Sequence, residues 1–167
     1  MYPKTSQMNQ HHFLEDIVNT YENSIYRFSL VLSQNAIDAE EATREVFRRR
    51  FHFTKSFSTQ QEERRWFFKV TYEVENHITK HRFFQKREPL LDTFPTKTTQ
   101  EFELLESIFS LPKPMRTIIH LYYYESFSQE EIATIMNIEE KKVHAFLDKI
   151  NLRFHISNNI DEQQKGV

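Results

Sequence analysis

The chain has 167 residues and carries 22 Lys and Arg against 24 Asp and Glu, a net charge of −2, with one Gly, five Pro and no Cys. Lacking cysteine, it can build neither a disulfide framework nor a thiolate metal site, and nothing in it calls for an oxidising compartment. A single glycine cannot form a phosphate-cradling loop, no stretch approaches the ~18 apolar residues of a membrane span, and the N-terminus MYPKTSQMNQHHF lacks the charged-then-apolar order of a secretion signal. The expectation is a cytoplasmic protein with no membrane insertion.

Apolar residues recur at helical rather than alternating spacing, and turn-forming glycine is nearly absent, so the expected fold is all-α: two small helical modules joined by a linker, the second containing a helix-turn-helix. The first predicted helix, Phe13 to Leu32, repeats Phe13, Leu14, Ile17, Val18, Tyr21, Ile25, Phe28 and Leu32 on one side. Asn35 to Asp38 breaks it, and Asp38 is expected to cap a second helix, AEEATREVFRRRFHF, whose early glutamates and late arginines suit the helix dipole.

After a polar run from Thr54 to Gln61, a third helix is predicted from about Glu62 to Phe84. Trp66, Phe67, Val70, Val74, His77, Ile78 and His81 fall on one stripe and are expected inside. The opposite face gathers Arg65, Phe68, Lys69, Tyr72, Asn76, Lys80 and Phe83. Rings for unpaired bases to stack on, interleaved with cations for the phosphates between them, suit single-stranded nucleic acid. The plainer alternative packs Phe68 and Phe83 under the first helix.

Gln85 to Thr98 holds Pro89 and Pro95 among several threonines, and residues 86–98 serve as the expected linker between a module at 10–85 and another at 99–158. The second module begins with a helix near Gln100 to Ser110, followed by the LPKP break and a helix from Met115 to Glu125. From Ser126 to Phe154, SFSQEEIATIMNIEEKKVHAFLDKINLRF reads as a helix-turn-helix. Ser128 and Glu131 form a capping box that opens a short helix with Ile132, Ala133 and Met136 inward, and Asn137 turns the chain. Wound at ~100° per residue, Glu139 to Phe154 places Val143, Phe146, Leu147, Ile150 and Phe154 on one stripe and leaves Lys141, Lys142, His144, Lys149 and Arg153 outside. That is the equipment of a major-groove reader, although an ordinary helical hairpin with a solvated face has the same pattern.

Charge is distributed unevenly. From Ala39 to Arg87 twelve Lys and Arg oppose seven Glu, whereas from Thr99 to Ile138 only Lys113 and Arg116 oppose six Glu. A basic middle can follow a phosphate backbone that the acidic stretch repels. His77 and His81 stand four apart, a zinc-ligand spacing, but Ile78 occupies the place of a metalloprotease glutamate. No nucleophile constellation emerges, so no catalytic residue, metal or cofactor is expected and the chain is not expected to be an enzyme.

Three segments carry a family resemblance. Asp38 to Phe51, DAEEATREVFRRRF, resembles the polymerase-docking helix of bacterial sigma factors of the extracytoplasmic-function type. Trp66 to Arg82, WFFKVTYEVENHITKHR, is similar to the promoter-melting helix that follows. Leu111 to Phe154, with its Leu-Pro-x-x-x-Arg and Ser-x-x-Glu-Ile-Ala strings, resembles the module that reads the upstream promoter element.

The resemblance implies docking on core RNA polymerase through Glu40, Glu41, Arg44 and Glu45, and promoter opening through Arg65, Lys69, Tyr72, Asn76, Lys80 and Arg82. It implies duplex contacts from Ser128, Lys141, Lys142, His144, Lys149 and Arg153. Core RNA polymerase and promoter DNA are the implied partners, with room for an anti-sigma factor. The sequence departs from the family where Glu41 and Arg44 replace Asp and Gln, where Tyr72-Glu73 replaces Arg-Asn, and where Lys141-Lys142-Val143-His144-Ala145-Phe146 replaces Gly-Thr-Val-Lys-Ser-Arg. Because base contacts specify and phosphate contacts position, the last change bears on sequence choice. Two alternatives follow: a sigma-like regulator that binds polymerase or a sigma partner without selecting promoters, and a free DNA-binding repressor.

Overall fold

The computed structural model describes residues 4–81 and 98–154, so Arg82, Phe83, nearly all of the expected linker and residues 155–158 lie outside the described residues. Among the described residues there are seven α-helices and no strand: α1 (Lys4–Ser33), α2 (Ala36–His52), α3 (Gln60–His81), α4 (Thr99–Phe109), α5 (Lys113–Ile119), α6 (Gln129–Met136) and α7 (Glu140–Phe154). The fold is all-α: α1–α3 pack on one another and α5–α7 on one another, while the end of α4 meets α1 and α2, with Phe109 beside Leu30 and Ala39 and its carbonyl accepting from Gln34 Nε2 at 2.7 Å.

Ile17, Tyr21, Ile25, Phe28 and Leu32 recur every three or four residues and give α1 a buried stripe. The helix ends at Gln34, which takes a left-handed φ of 54°. Asn35, not Asp38, caps α2: its side chain accepts from the Asp38 amide at 3.0 Å, and Asp38 lies in the first turn, where its charge still favours the dipole. Helix α2 adds Ala42, Val46 and Phe47, and α3 adds Phe67, Val70, Val74 and Ile78 to the same core.

The α3 stripe is rotated from the sequence expectation. Phe68, Thr71 and Glu75 are fully buried, whereas His77 and His81 are exposed, with ring centroids 4.3 Å apart. A periodicity argument gives each helix one inner and one outer face, but α3 has packing partners on two sides. Phe68 lies 5.1 Å from Phe28 of α1 and 5.1 Å, edge-on, from Phe127, which leads into α6. The aromatic face expected on α3 therefore loses Phe68 to the core, which runs without interruption from the first module into Ile118, Leu121, Phe127, Ile132, Ile135, Val143, Leu147 and Ile150 of the second.

The expected single helix from Met115 to Glu125 is two pieces, α5 followed by a π-helical turn over His120–Tyr124. The wider turn closes with the Glu125 amide donating to His120 O at 3.0 Å and the Phe127 amide to Leu121 O at 2.9 Å, which directs Phe127 back toward Phe68.

Candidate nucleic-acid interface

The helix-turn-helix forms as the sequence predicts. Ser128 Oγ accepts from the Glu131 amide at 3.2 Å while Glu131 Oε2 accepts from the Ser128 amide at 3.0 Å, the reciprocal capping box. Asn137 ends α6 in the left-handed region (φ 52°, ψ 50°), a conformation that its short amide side chain tolerates. Val143, Leu147 and Ile150 of α7 are buried against α5 and α6, which leaves Lys141, Lys142, His144, Lys149 and Arg153 exposed.

That outer face is less positive than its lysines suggest. Lys141 Nζ contacts Glu139 at 2.6 Å and His144 Nε2 contacts Asp148 at 3.5 Å, both on the surface, while Lys149 lies 5.8 Å from the Phe146 ring centroid. The Ser128 hydroxyl is engaged by its capping bond.

On α3, Arg65, Lys69, Tyr72 and Asn76 are half-buried and Lys80 is exposed. Tyr72 packs against the core. Arg65 reaches Glu131 Oε1 at 3.9 Å and Gln61 Nε2 donates to the same oxygen at 2.7 Å. Burial raises the Glu131 carboxyl, but the bonds from Gln61 and Ser128 and the charge of Arg65 outweigh it and hold the group below the ordinary carboxylate value.

The four docking candidates share the outside of α2. Glu40 and Arg44 approach at 3.8 Å; Glu45 accepts from Arg48 at 2.7 Å and from Arg49 at 2.8 Å, and these two bonds lower its pKa to about 2. Glu41, Arg44 and Glu45 line a groove of about 400 Å³ whose far wall is Val74, His77 and Ile78 of α3.

A second groove, of about 550 Å³, surrounds the α2–α3 connection and was not singled out in the sequence. Phe53 and Phe57 stack at 5.2 Å and both meet Trp66, while the Arg50 guanidinium sits 5.2 Å from the Phe57 ring and ion-pairs with Glu63, Nε to Oε1 at 2.9 Å. The available signal is two phenylalanines four apart in an otherwise polar loop, a pattern without a helix period to interpret.

Two helical modules, one carrying a capped helix-turn-helix and the other a basic and aromatic helix, define a nucleic-acid-binding protein of the transcription class. The family model "Sigma-70, region 4" matches residues 101–148. Over 153 residues the chain is 25% identical to the ECF RNA polymerase sigma factor SigM of Bacillus subtilis (strain 168), covering 84% of this chain and 91% of that protein. Its fold matches the sigma factor RpoE of Bartonella quintana, solved in complex with the anti-sigma factor NepR, at a TM-score of 0.71 and 13% identity over 86% of this chain and 98% of that one. In sequence and in fold, the chain is similar to sigma factors of the extracytoplasmic-function type.

Proposed function

We propose that the chain directs bacterial RNA polymerase to specific promoters and acts without catalytic chemistry of its own, in the cytoplasm. Helix α2 docks the enzyme through Glu40, Glu41, Arg44 and Glu45. Helix α3 holds the opened strand with Arg65, Lys69, Tyr72, Asn76 and Lys80, together with Arg82, which follows it in sequence, and the groove lined by Phe53 and Phe57 offers a further ring surface to an unpaired base. The α6–α7 unit reads the upstream duplex through Lys141, Lys142, His144, Lys149 and Arg153. The observation that carries this reading is the capped helix-turn-helix with α7's basic side turned to solvent.

No helix among the described residues is long and apolar enough to cross a membrane, which fits that setting. Relatives are a sigma factor of RNA polymerase by name and one solved with an anti-sigma factor, which supports polymerase as partner and makes an anti-sigma protein a candidate second one. Reconstitution with core polymerase and mapping of run-off transcripts tests the proposal: discrete starts that require the chain are expected, and their absence removes promoter selection. The Lys141–Glu139 and His144–Asp148 pairs favour one second reading, a regulator that binds polymerase while selecting no promoter, because they weaken the duplex-facing charge.

A further inference from the structure

Helix α3 carries a pair of histidines that the proposed function does not use. His77 and His81 stand four residues apart, so their side chains leave the helix on one face, a turn from each other. The sequence expectation puts both on the inner stripe, whereas the packing of Phe68 on Phe28 and Phe127 turns both rings to solvent. Among the described residues neither ring has a hydrogen-bond or ion-pair partner. Each faces the other, at 4.3 Å between centroids and 57° between planes.

That arrangement suits a shared ion better than a stack, in which the planes would lie parallel. With metal–nitrogen bonds of about 2.0–2.1 Å, two imidazoles bound at a right angle to one ion have ring centres roughly 4.5 Å apart. The rings stand close to that separation, so little ordering is left for the ion to impose. His81 lies in the last turn of α3, where the negative end of the helix dipole favours a cation. Lys80 beside it opposes the charge, but an exposed ammonium in high dielectric costs less than two metal–nitrogen bonds supply. Imidazole suits copper, nickel and zinc, copper(II) foremost, while magnesium and calcium require oxygen ligands. No group of three His, Asp or Glu gathers around an ion among the described residues, so water keeps its remaining positions and the ion can exchange.

His77 also lines the groove of about 400 Å³ that Glu41, Arg44 and Glu45 border from α2. An ion on His77 therefore sets positive charge opposite the two acids assigned to polymerase docking. We propose that His77 and His81 form a site for a divalent transition metal, copper(II) foremost, and that the bound ion weakens docking of α2 on core polymerase. The effect on docking rests on the sigma reading, but the site itself can be measured on the free chain.

The full chain is titrated with nickel(II) by calorimetry and with copper(II) by electron paramagnetic resonance. The chain has eight histidines, so one variant keeps their number: His81→Gln with Thr79→His leaves the pair two residues apart, on different sides of the helix. Copper(II) in the parent is expected to show two imidazole nitrogens. Nickel(II) should find one site at least about tenfold tighter than in His77→Gln, His81→Gln or the relocated pair, all with unchanged helix content. Core polymerase should retain less of the parent in nickel(II) than in chelator, and equal amounts of His81→Gln in both. Equal nickel affinity in the parent and the relocated pair overturns the site. Tight binding with metal-independent retention overturns the effect on docking. A chain that core fails to retain even in chelator refutes the docking reading and the effect built on it, while the metal site stands or falls on the titration alone.

Discussion

Arg116 has a role that its place in a sequence string does not reveal. Its buried guanidinium donates to Leu111 O at 2.7 Å and, across the module boundary, to Val31 O at 3.1 Å and Leu32 O at 3.3 Å, satisfying carbonyls at the end of α1 that have no partner within the helix. Arg116→Ala should cost about 3 kcal/mol in urea unfolding, and Arg116→Lys should recover little of it because an ammonium lacks the planar fork. Glu125 makes a pH prediction. Burial pushes its carboxyl up, but the His120 contact at 3.3 Å and the Arg64 bond outweigh burial, and the folded-state pKa lies below the usual value. A carboxyl lowered on folding contributes stability that is present above its unfolded pKa and lost as pH falls through its folded one. Glu125→Gln should therefore destabilise by about 1 to 3 kcal/mol at pH 7 and by progressively less on acidification below pH 4. A parent-to-variant gap that stayed constant down to pH 2 would remove Glu125 from the linkage.

Helices α2 and α3 are where the sequence was most and least informative. The glutamate-to-arginine gradient of α2 follows from residue order alone, and the structure uses it: Glu45 holds Arg48 and Arg49. Reversing Glu41 and Glu45 to Arg should leave helix content intact, since neither is buried, and should abolish co-purification with core polymerase; retention of core by the double variant excludes this face. The boundaries of α6 and the Asn137 turn were equally legible, because a capping box and a left-handed asparagine are local chemistry. The inner face of α3 was not. Phe68 and His77 exchange places relative to a two-sided wheel because α6 packs where the sequence had placed solvent, and no single-helix period encodes a partner some sixty residues away. Tyr72 survives as a half-exposed ring, packed at one edge. Tyr72→Leu keeps that packing and removes the π face, so holoenzyme binding to single-stranded promoter DNA should weaken by about 1 to 3 kcal/mol. Lys80→Ala should instead lower the slope of log affinity against log salt by about one phosphate contact. Equal permanganate reactivity of promoter thymines with Tyr72→Leu and parent would remove Tyr72 from strand opening.

At the scale of the molecule, the sequence supports two modules, and the structure adds that they share a core. Phe28, Phe68 and Phe127 are buried at the seam, and the hydrophobic cluster continues through them from Ile17 to Ile150. Modules that share so much apolar contact should unfold as one unit, with calorimetric and van't Hoff enthalpies that agree, instead of in two steps. Phe68→Ala tests this at the residue that touches both sides. Removing a fully buried ring should cost about 3 to 5 kcal/mol, and because the lost contacts lie between α1, α3 and the segment before α6, the cooperative link should weaken more than either module's interior. The expected thermogram is one symmetric transition for the parent and two resolved transitions for Phe68→Ala, the second module distinguishable through the tyrosines at positions 122–124. A single transition that merely shifts to lower temperature would mean that Phe68 is an interior residue of one module and that the seam is held elsewhere.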